Sequence, residues 1–390
     1  MSPRHTRSRR GGAMLLAVGL LAATIGSFGF VLSRLWDLTD EGNRFATAER
    51  AGVGYLRPLN RLLAALVEAR TATLGAGPEG AGVRAALDEM AAAEDRWGAD
   101  LGSAERWQRL RERSDAVLAA AGGGRAAYQR YTELVTLTVD LMDFVGDGSK
   151  LILDPELGSY YLVDVALTKL PAVLLESARV TDEAVQARAA RSDSARELAV
   201  IRISTARYVI ATAADAVGAN LDKVTNSGAG PEVSDGVLVA LDPFRAAIDA
   251  VTPPASLRPS AVDLDAPELR NATGLVNAAF RPLSDAVLVA LDTLLVNRIE
   301  GYADDRRTAV FATASGVLVG AVLLWWAVPA ASRRGGARDD ARQGRDLPDI
   351  ARVAGDLPQI DPQRLLAVEE LQHVGRAVRA YDRGQVDDAR

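Results

Sequence analysis

The chain has 390 residues, 48% of them hydrophobic and 5% aromatic, with a net charge of −6. It contains no cysteine, which excludes disulfides, thiol nucleophiles and cysteine-ligated metal sites. Alanine, leucine and arginine dominate where strands would favour aromatic and β-branched residues, so the composition predicts an all-α protein.

Residues 1–12 form a basic N-terminus carrying Arg4, Arg7, Arg9 and Arg10. From Gly11 to Ser33 there are 23 residues without a charge, which predicts a transmembrane helix over 13–32. A cleaved signal peptide is the competing reading, but the apolar stretch exceeds the roughly 7–15 residues of such a segment and no clear cleavage site follows. A second uncharged run of 25 residues, Thr308 to Ser332, predicts a transmembrane helix over 309–328. Arginines cluster before the first run and, at Arg333, Arg334, Arg338, Arg342 and Arg345, after the second. The positive-inside rule then places both termini in the cytoplasm and residues 33–308 outside it, in a two-pass protein of the plasma (inner) membrane. Trp36, Trp325 and Trp326 suit the two membrane interfaces. Residues 1–33 carry +4 and the tail from Arg333 balances 11 arginines with 11 acids, so the segment between carries −10. A domain this acidic has no electrostatic attraction for nucleic acid.

Within the outer segment, breakers stand at Gly75 to Pro78, Gly122 to Gly124, Asp154-Pro155, Asn226 to Pro231 and Thr252 to Pro259. Between them the pattern is helical. Residues 50–73, 103–121 and 195–221 read as amphipathic helices. In the last, the apolar or small residues Leu198, Ile201, Thr205, Tyr208, Thr212 and Ala216 recur at spacings of three and four, one face of a helix. Leu134 to Val145 has local strand character but sits between helical stretches, and is predicted as a buried helix. Pro254 to Leu264 is the predicted long loop. An internal echo, SDGVLVALD at 234–242 and SDAVLVALD at 284–292, predicts two similar helix starts capped by Ser or Asp.

Four stretches then stand out: Glu49 to Leu59 (ERAGVGYLRPL) with a helix to Arg70; Ser149 to Asp164 (SKLILDPELGSYYLVD) with Leu170-Pro171 after it; Leu291 to Ile299 (LDTLLVNRI); and Arg306-Arg307 entering the second apolar run. In these stretches the chain resembles the all-helical sensory, ligand-binding domains of bacterial chemoreceptors and membrane-bound histidine kinases. The resemblance implies stacked four-helix bundles between two transmembrane helices. It also implies a pocket between helices for a small, organic-acid-like ligand, and a homodimer whose helices cross the bilayer. The family continues past its second span into a HAMP linker and a signalling module, whereas here 58 residues follow Ser332 and none resembles those modules. Signalling would therefore pass to a separate protein through the tail, residues 329–390. There Leu365, Val368, Leu371, Val374 and Val378 form an apolar stripe on a helix predicted over 361–383. Self-pairing in the dimer and docking to a signalling partner both fit that stripe.

Asp154 and Pro155 read as a helix break, and Pro171 as a second structural mark. Ser159, Tyr160 and Tyr161 read either as core or as pocket lining. For a carboxylate ligand, Arg70, Arg179, Arg202 and Arg207 are the candidate partners, because a guanidinium binds a carboxylate through two hydrogen bonds; a solvated helix face is the other reading of each. Arg298, Arg306 and Arg307 are expected to anchor the membrane end, and Glu94-Asp95 to be solvated. No histidine lies between the apolar runs for a Ser/His/Asp set, and no phosphate-cradling glycine motif occurs. The sequence therefore predicts no enzyme and no cofactor. The expected function is a membrane-anchored extracytoplasmic sensor; the alternative is a non-catalytic interaction or structural protein, or a degenerate receptor.

Overall fold

The computed structural model describes residues 7–75, 80–120, 122–227, 231–253 and 266–334. Among them there is no strand, and the protein is all-α. The helices are α1 Arg7–Ala72, α2 Gly80–Leu101, α3 Ala104–Ala119, α4 Arg125–Gly148, α5 Leu157–Asp164, α6 Leu170–Ala189, α7 Asp193–Asn226, α8 Pro231–Val251 and α9 Ala266–Arg334. A 3-10 turn at Leu151–Leu153 precedes α5, and a π turn at Val165–Lys169 joins α5 to α6 just before Pro171. Two compact units divide the chain: Met1–Ala321, which holds the bundle, and Val322–Arg390, described as far as Arg334.

The glycine and proline breakers fall at helix ends, because they act through the backbone itself. Two breaks carried weaker marks. Gly102, at φ +66°, takes a left-handed conformation that favours glycine and separates α2 from α3. Ser192 opens α7 by accepting a hydrogen bond from the Ala195 N–H at 3.3 Å. The loop predicted at 254–264 and the tail helix predicted over 361–383 lie outside the described residues. Leu134 to Val145 is helical inside α4, with Leu134, Leu141, Met142 and Val145 buried.

Helix α1 is the centre of the bundle. Leu62, Leu63, Ala64, Leu66 and Val67 are all buried, and residues so close in sequence face every direction around a helix. Arg61 shows what surrounds it: one guanidinium nitrogen meets Glu89 of α2 and another meets Asp285 of α9, both at 3.0 Å. Helix α4 approaches where Gly52 abuts Ser149, and α2 where Gly54 abuts Trp97; a methyl group at either glycine would collide. Helix α6 joins α1 through Arg70 and Asp182 at 3.1 Å. Helix α9 runs antiparallel along α1, through Arg50–Asp292 at 2.7 Å and Asn60–Ser284 at 2.8 Å. The end-to-end stacking implied by the resemblance is not among these contacts, which set α2, α4, α6 and α9 side by side around α1.

Two expectations need correction. The stripe Leu198, Ile201, Thr205, Tyr208 and Thr212 of α7 faces outward, with Ile201 56% and Tyr208 68% exposed. The buried face is Ile203, Ala206, Ile210, Ala213, Val217, Leu221 and Val224. That inner stripe continues to the end of the helix, whereas the outer one runs into exposed Asp215 and Asp222, whose charges cannot follow it into a core. The echoed Ser-Asp pairs do not start helices either, since both lie inside α8 and α9. Ser284 is buried and accepts a hydrogen bond from Asn60.

Both expected spans are helical, 13–32 inside α1 and 309–328 inside α9. By length and composition, however, the one described segment able to cross a membrane is Leu157–Ala189, which weakly favours membrane association. Half of its apolar window is buried inside the bundle, and core helices meet the same test. The two-pass arrangement is therefore not supported by that measure, and much of the two expected spans lies outside the described side chains. Those side chains that are described there include exposed Phe30 and Val31 on α1 and exposed Phe311 and Leu318 on α9.

Candidate functional site

The chain break at Asp154-Pro155 builds the first polar centre. Pro155 cannot continue the preceding turn, and the Asp154 carboxylate accepts the Glu156 N–H at 2.8 Å, an aspartate turn that fixes the start of α5. Into this corner comes Arg298 from α9. It donates to Glu49 of α1 at 3.0 Å, to Asp154 at 3.0 Å and to the Ser159 hydroxyl at 2.8 Å. Its Nε meets Glu156 at 2.8 Å. The side chains of Arg298, Glu49 and Asp154 are at most 6% exposed.

Three carboxyl groups face one guanidinium here. Burial, and then the charge of Asp154, push the Glu49 carboxyl up to about 8, against the pull of Arg298 in the other direction. Glu49 therefore holds a proton at neutral pH. The corner ties α1, α5 and α9 together. It corrects the expectation for Arg298, which is a buried centre and not a membrane-end anchor. Arg306 does sit toward that end: it donates to Thr39 at 2.9 Å, pairs with Asp40 and lies over the Trp36 ring. Arg307 is exposed beside Asp304.

A second polar centre lies toward the other end of α1. Arg70 pairs with Asp182 at 3.1 Å, the Tyr128 hydroxyl donates to the same Asp182 oxygen at 3.1 Å, and the guanidinium lies 5.6 Å from the centre of the Tyr128 ring. Burial raises the Asp182 carboxyl while Arg70 opposes the shift. Burial, and then the charge of Asp182, push the Tyr128 hydroxyl up to about 12, so Tyr128 remains a proton donor at neutral pH. The Arg70 Nε is buried and has no hydrogen-bond acceptor among the described residues. Arg70 and Tyr128 form one wall of a cleft of about 400 Å³ between α1, α4 and α6. Val135, Val139 and Leu175 supply its apolar side; Asp140, Glu176 and Arg179 stand at its polar rim. A larger groove of about 750 Å³ between α8 and α9 is lined by Gly, Ala, Val, Leu and Pro alone and offers no polar group to orient a ligand.

The structure brings together two of the predicted ligand residues, Arg70 and Arg179, in the cleft. The others are dispersed. Ser159 is committed to Arg298. Tyr160 is exposed and meets Tyr161 edge-on, and Tyr161 carries Lys223 over its ring at 4.4 Å. Arg202 pairs with Glu183 at 3.3 Å on the outer surface, and Arg207 is buried on α7. Glu94 is not solvated as expected, since it accepts hydrogen bonds from Tyr55 and Ser103, both at 2.7 Å. Sequence reading missed Glu49, Tyr128 and Asp182. Nothing local marks Asp182, which stands among the other charges of α6, Glu176, Arg179 and Glu183.

No protein-family model, no curated protein and no solved structure matches this chain. The likeness to chemoreceptor sensory domains thus rests on the four stretches. Three of them meet at one point: Glu49, Asp154 with Ser159, and Arg298 are the residues of the first polar centre.

Replacing Arg298 by Met leaves two buried carboxyl groups without their cation. A loss of about 3–5 kcal/mol in unfolding free energy is expected, measured by denaturant titration. Glu49 makes a separate prediction. Its folded value of about 8 lies above its ordinary 4.5, so across that window the folded chain keeps a proton that the unfolded chain releases. Rising pH then favours unfolding. Glu49→Gln removes this titration, so its stability relative to wild type increases between pH 4.5 and 8. Parallel stability curves for the two proteins across that range would contradict the assignment.

Proposed function

We propose that this protein is a membrane-anchored sensor whose helical domain, residues 33–308, binds a small ligand outside the cytoplasm and passes a helix displacement through the bilayer. The observation that carries this reading is the continuity of α1 and α9. Helix α1 runs unbroken from Arg70 in the cleft, past Glu49, to the apolar segment 13–32. Helix α9 runs alongside it through Arg298 to the segment 309–328. At 1.5 Å per residue, Arg70 and Glu49 are about 30 Å apart along the same helix, with Pro58 between them. A ligand that moves α4 or α6 against Arg70 would shift α1 relative to α9, and small helix shifts of this kind are an established means of signalling. The reading includes two membrane crossings with both ends inside the cytoplasm, a homodimer, and a protein partner that takes the signal from the tail.

The cleft is the proposed ligand site, because two guanidinium groups, those of Arg70 and the exposed Arg179, line a small space with an apolar side. An organic acid suits those donors. A second reading, a non-catalytic interaction protein, is favoured by the apolar side chains exposed on α7 and α8, among them Ile201, Tyr208 and Val239.

The full-length chain should be melted against a panel of organic acids, amino acids and small anions. A ligand at 100 times its Kd stabilises the folded state by about 2.7 kcal/mol. Arg179→Ala is expected to abolish that shift while leaving the melting of the unliganded protein unchanged. No shift across the panel would favour the interaction reading. Topology has its own test, since the chain lacks cysteine. A membrane-impermeant thiol reagent applied to intact cells should label Glu112→Cys and leave Arg390→Cys unlabelled. Equal labelling of both would refute the two crossings.

A further inference from the structure

The outward stripe of α7 has the spacing of a helix-pairing seam. Leu198, Ile201, Thr205, Tyr208 and Thr212 follow one another at intervals of three, four, three and four residues. That is a repeat of 3.5 residues, the period that keeps a stripe facing a second helix along its length. Leu198 is 52% exposed, and Ile201 and Tyr208 more so. The two threonines fit an apolar seam because their hydroxyls are already satisfied. Thr205 donates to the Ile201 carbonyl and Thr212 to the Tyr208 carbonyl, both at 2.9 Å. Covering this stripe would strand neither hydroxyl. None of the five residues belongs to the cleft or to the Arg298 corner.

We propose that α7 is a homodimer interface, pairing in parallel with α7 of a second copy of this chain. The charges beside the seam select that occupant and that orientation. Glu197 precedes Leu198 on one side of the stripe and Arg202 follows Ile201 on the other. With Leu198 and Ile201 as the first two seam positions, these are the flanking sites that form ion pairs between two parallel helices. Glu197 of each copy then meets Arg202 of the other, twice over, as two-fold symmetry requires. Antiparallel pairing about the middle of the stripe would carry Glu197 and Arg202 of the two copies to opposite ends and leave both without this partner. Glu197 is exposed and forms no ion pair among the described residues. Arg202 holds Glu183 through one nitrogen at 3.3 Å and retains further donors on its fork. Asp215 stands at the next seam position and ends the contact, because two copies would bring like charges together there. Parallel pairing also agrees with two crossings of one membrane, but the seam does not depend on that reading or on the ligand site.

The natural chain has no cysteine, so single cysteines report the contact directly in the full-length protein. In a parallel symmetric pair, position 201 faces itself. Mild oxidation of Ile201→Cys is expected to yield a disulfide-linked dimer, and oxidation of Glu112→Cys, on the exposed face of α3, to yield none. Glu197→Arg or Arg202→Glu in the Ile201→Cys background should each abolish the cross-link, and the two together should restore it. Cross-linking of Ile201→Cys no greater than that of Glu112→Cys would overturn the proposal. So would a double variant that fails to recover, or a cross-link formed only to a different protein. Melting of each variant without oxidant separates loss of pairing from loss of the fold, and ligand-induced shifts are read independently of both.

Discussion

One buried guanidinium organises the lower half of this molecule. Arg298 leaves water to sit among Glu49, Asp154, Glu156 and Ser159, and a cation there is tolerable only while every one of its directions is met. Because Arg298 stands on α9 and its partners on α1, on the turn before α5 and on α5, the requirement to satisfy a charge becomes a requirement on the placement of three helices. The protonated Glu49 belongs to the same constraint. With Asp154 and Glu156 already facing a single cation, a third carboxylate charge would have no counterpart, and burial resolves this by keeping Glu49 neutral.

The second polar centre works differently. Arg70 and Asp182 pair off, Tyr128 donates to the pair, and Arg70 and Tyr128 line a small cleft. The second centre borders a cleft with Arg179 at its rim, which is why that cleft is the candidate ligand site. Both centres lie on α1, the helix most completely surrounded by its neighbours.

The outer surface adds a separate property. Helix α7 carries two stripes with the same spacing, one beginning at Leu198 and one at Ile203. Helical periodicity alone does not rank them. The inner stripe packs along the bundle to Val224, while the outer one stops at Asp215, and a stripe that stops short suits a limited contact with another molecule.

What the sequence by itself determined were the all-helical class and most helix ends. Glycine and proline act on their own backbone, and a turn such as Asp154 to Glu156 is complete within three residues. Of the candidate site, Arg70 and Arg179 were legible as residue types suited to an anion, but their meeting in one cleft was not. Only the tertiary structure decided which face of α7 is covered, that Ser159 serves an arginine, and that Arg298 lies inside the domain. Burial is a property of what other segments cover. Glu49 and Arg298 are 249 residues apart in sequence, beyond the reach of any local pattern, and become neighbours only because α9 returns along α1.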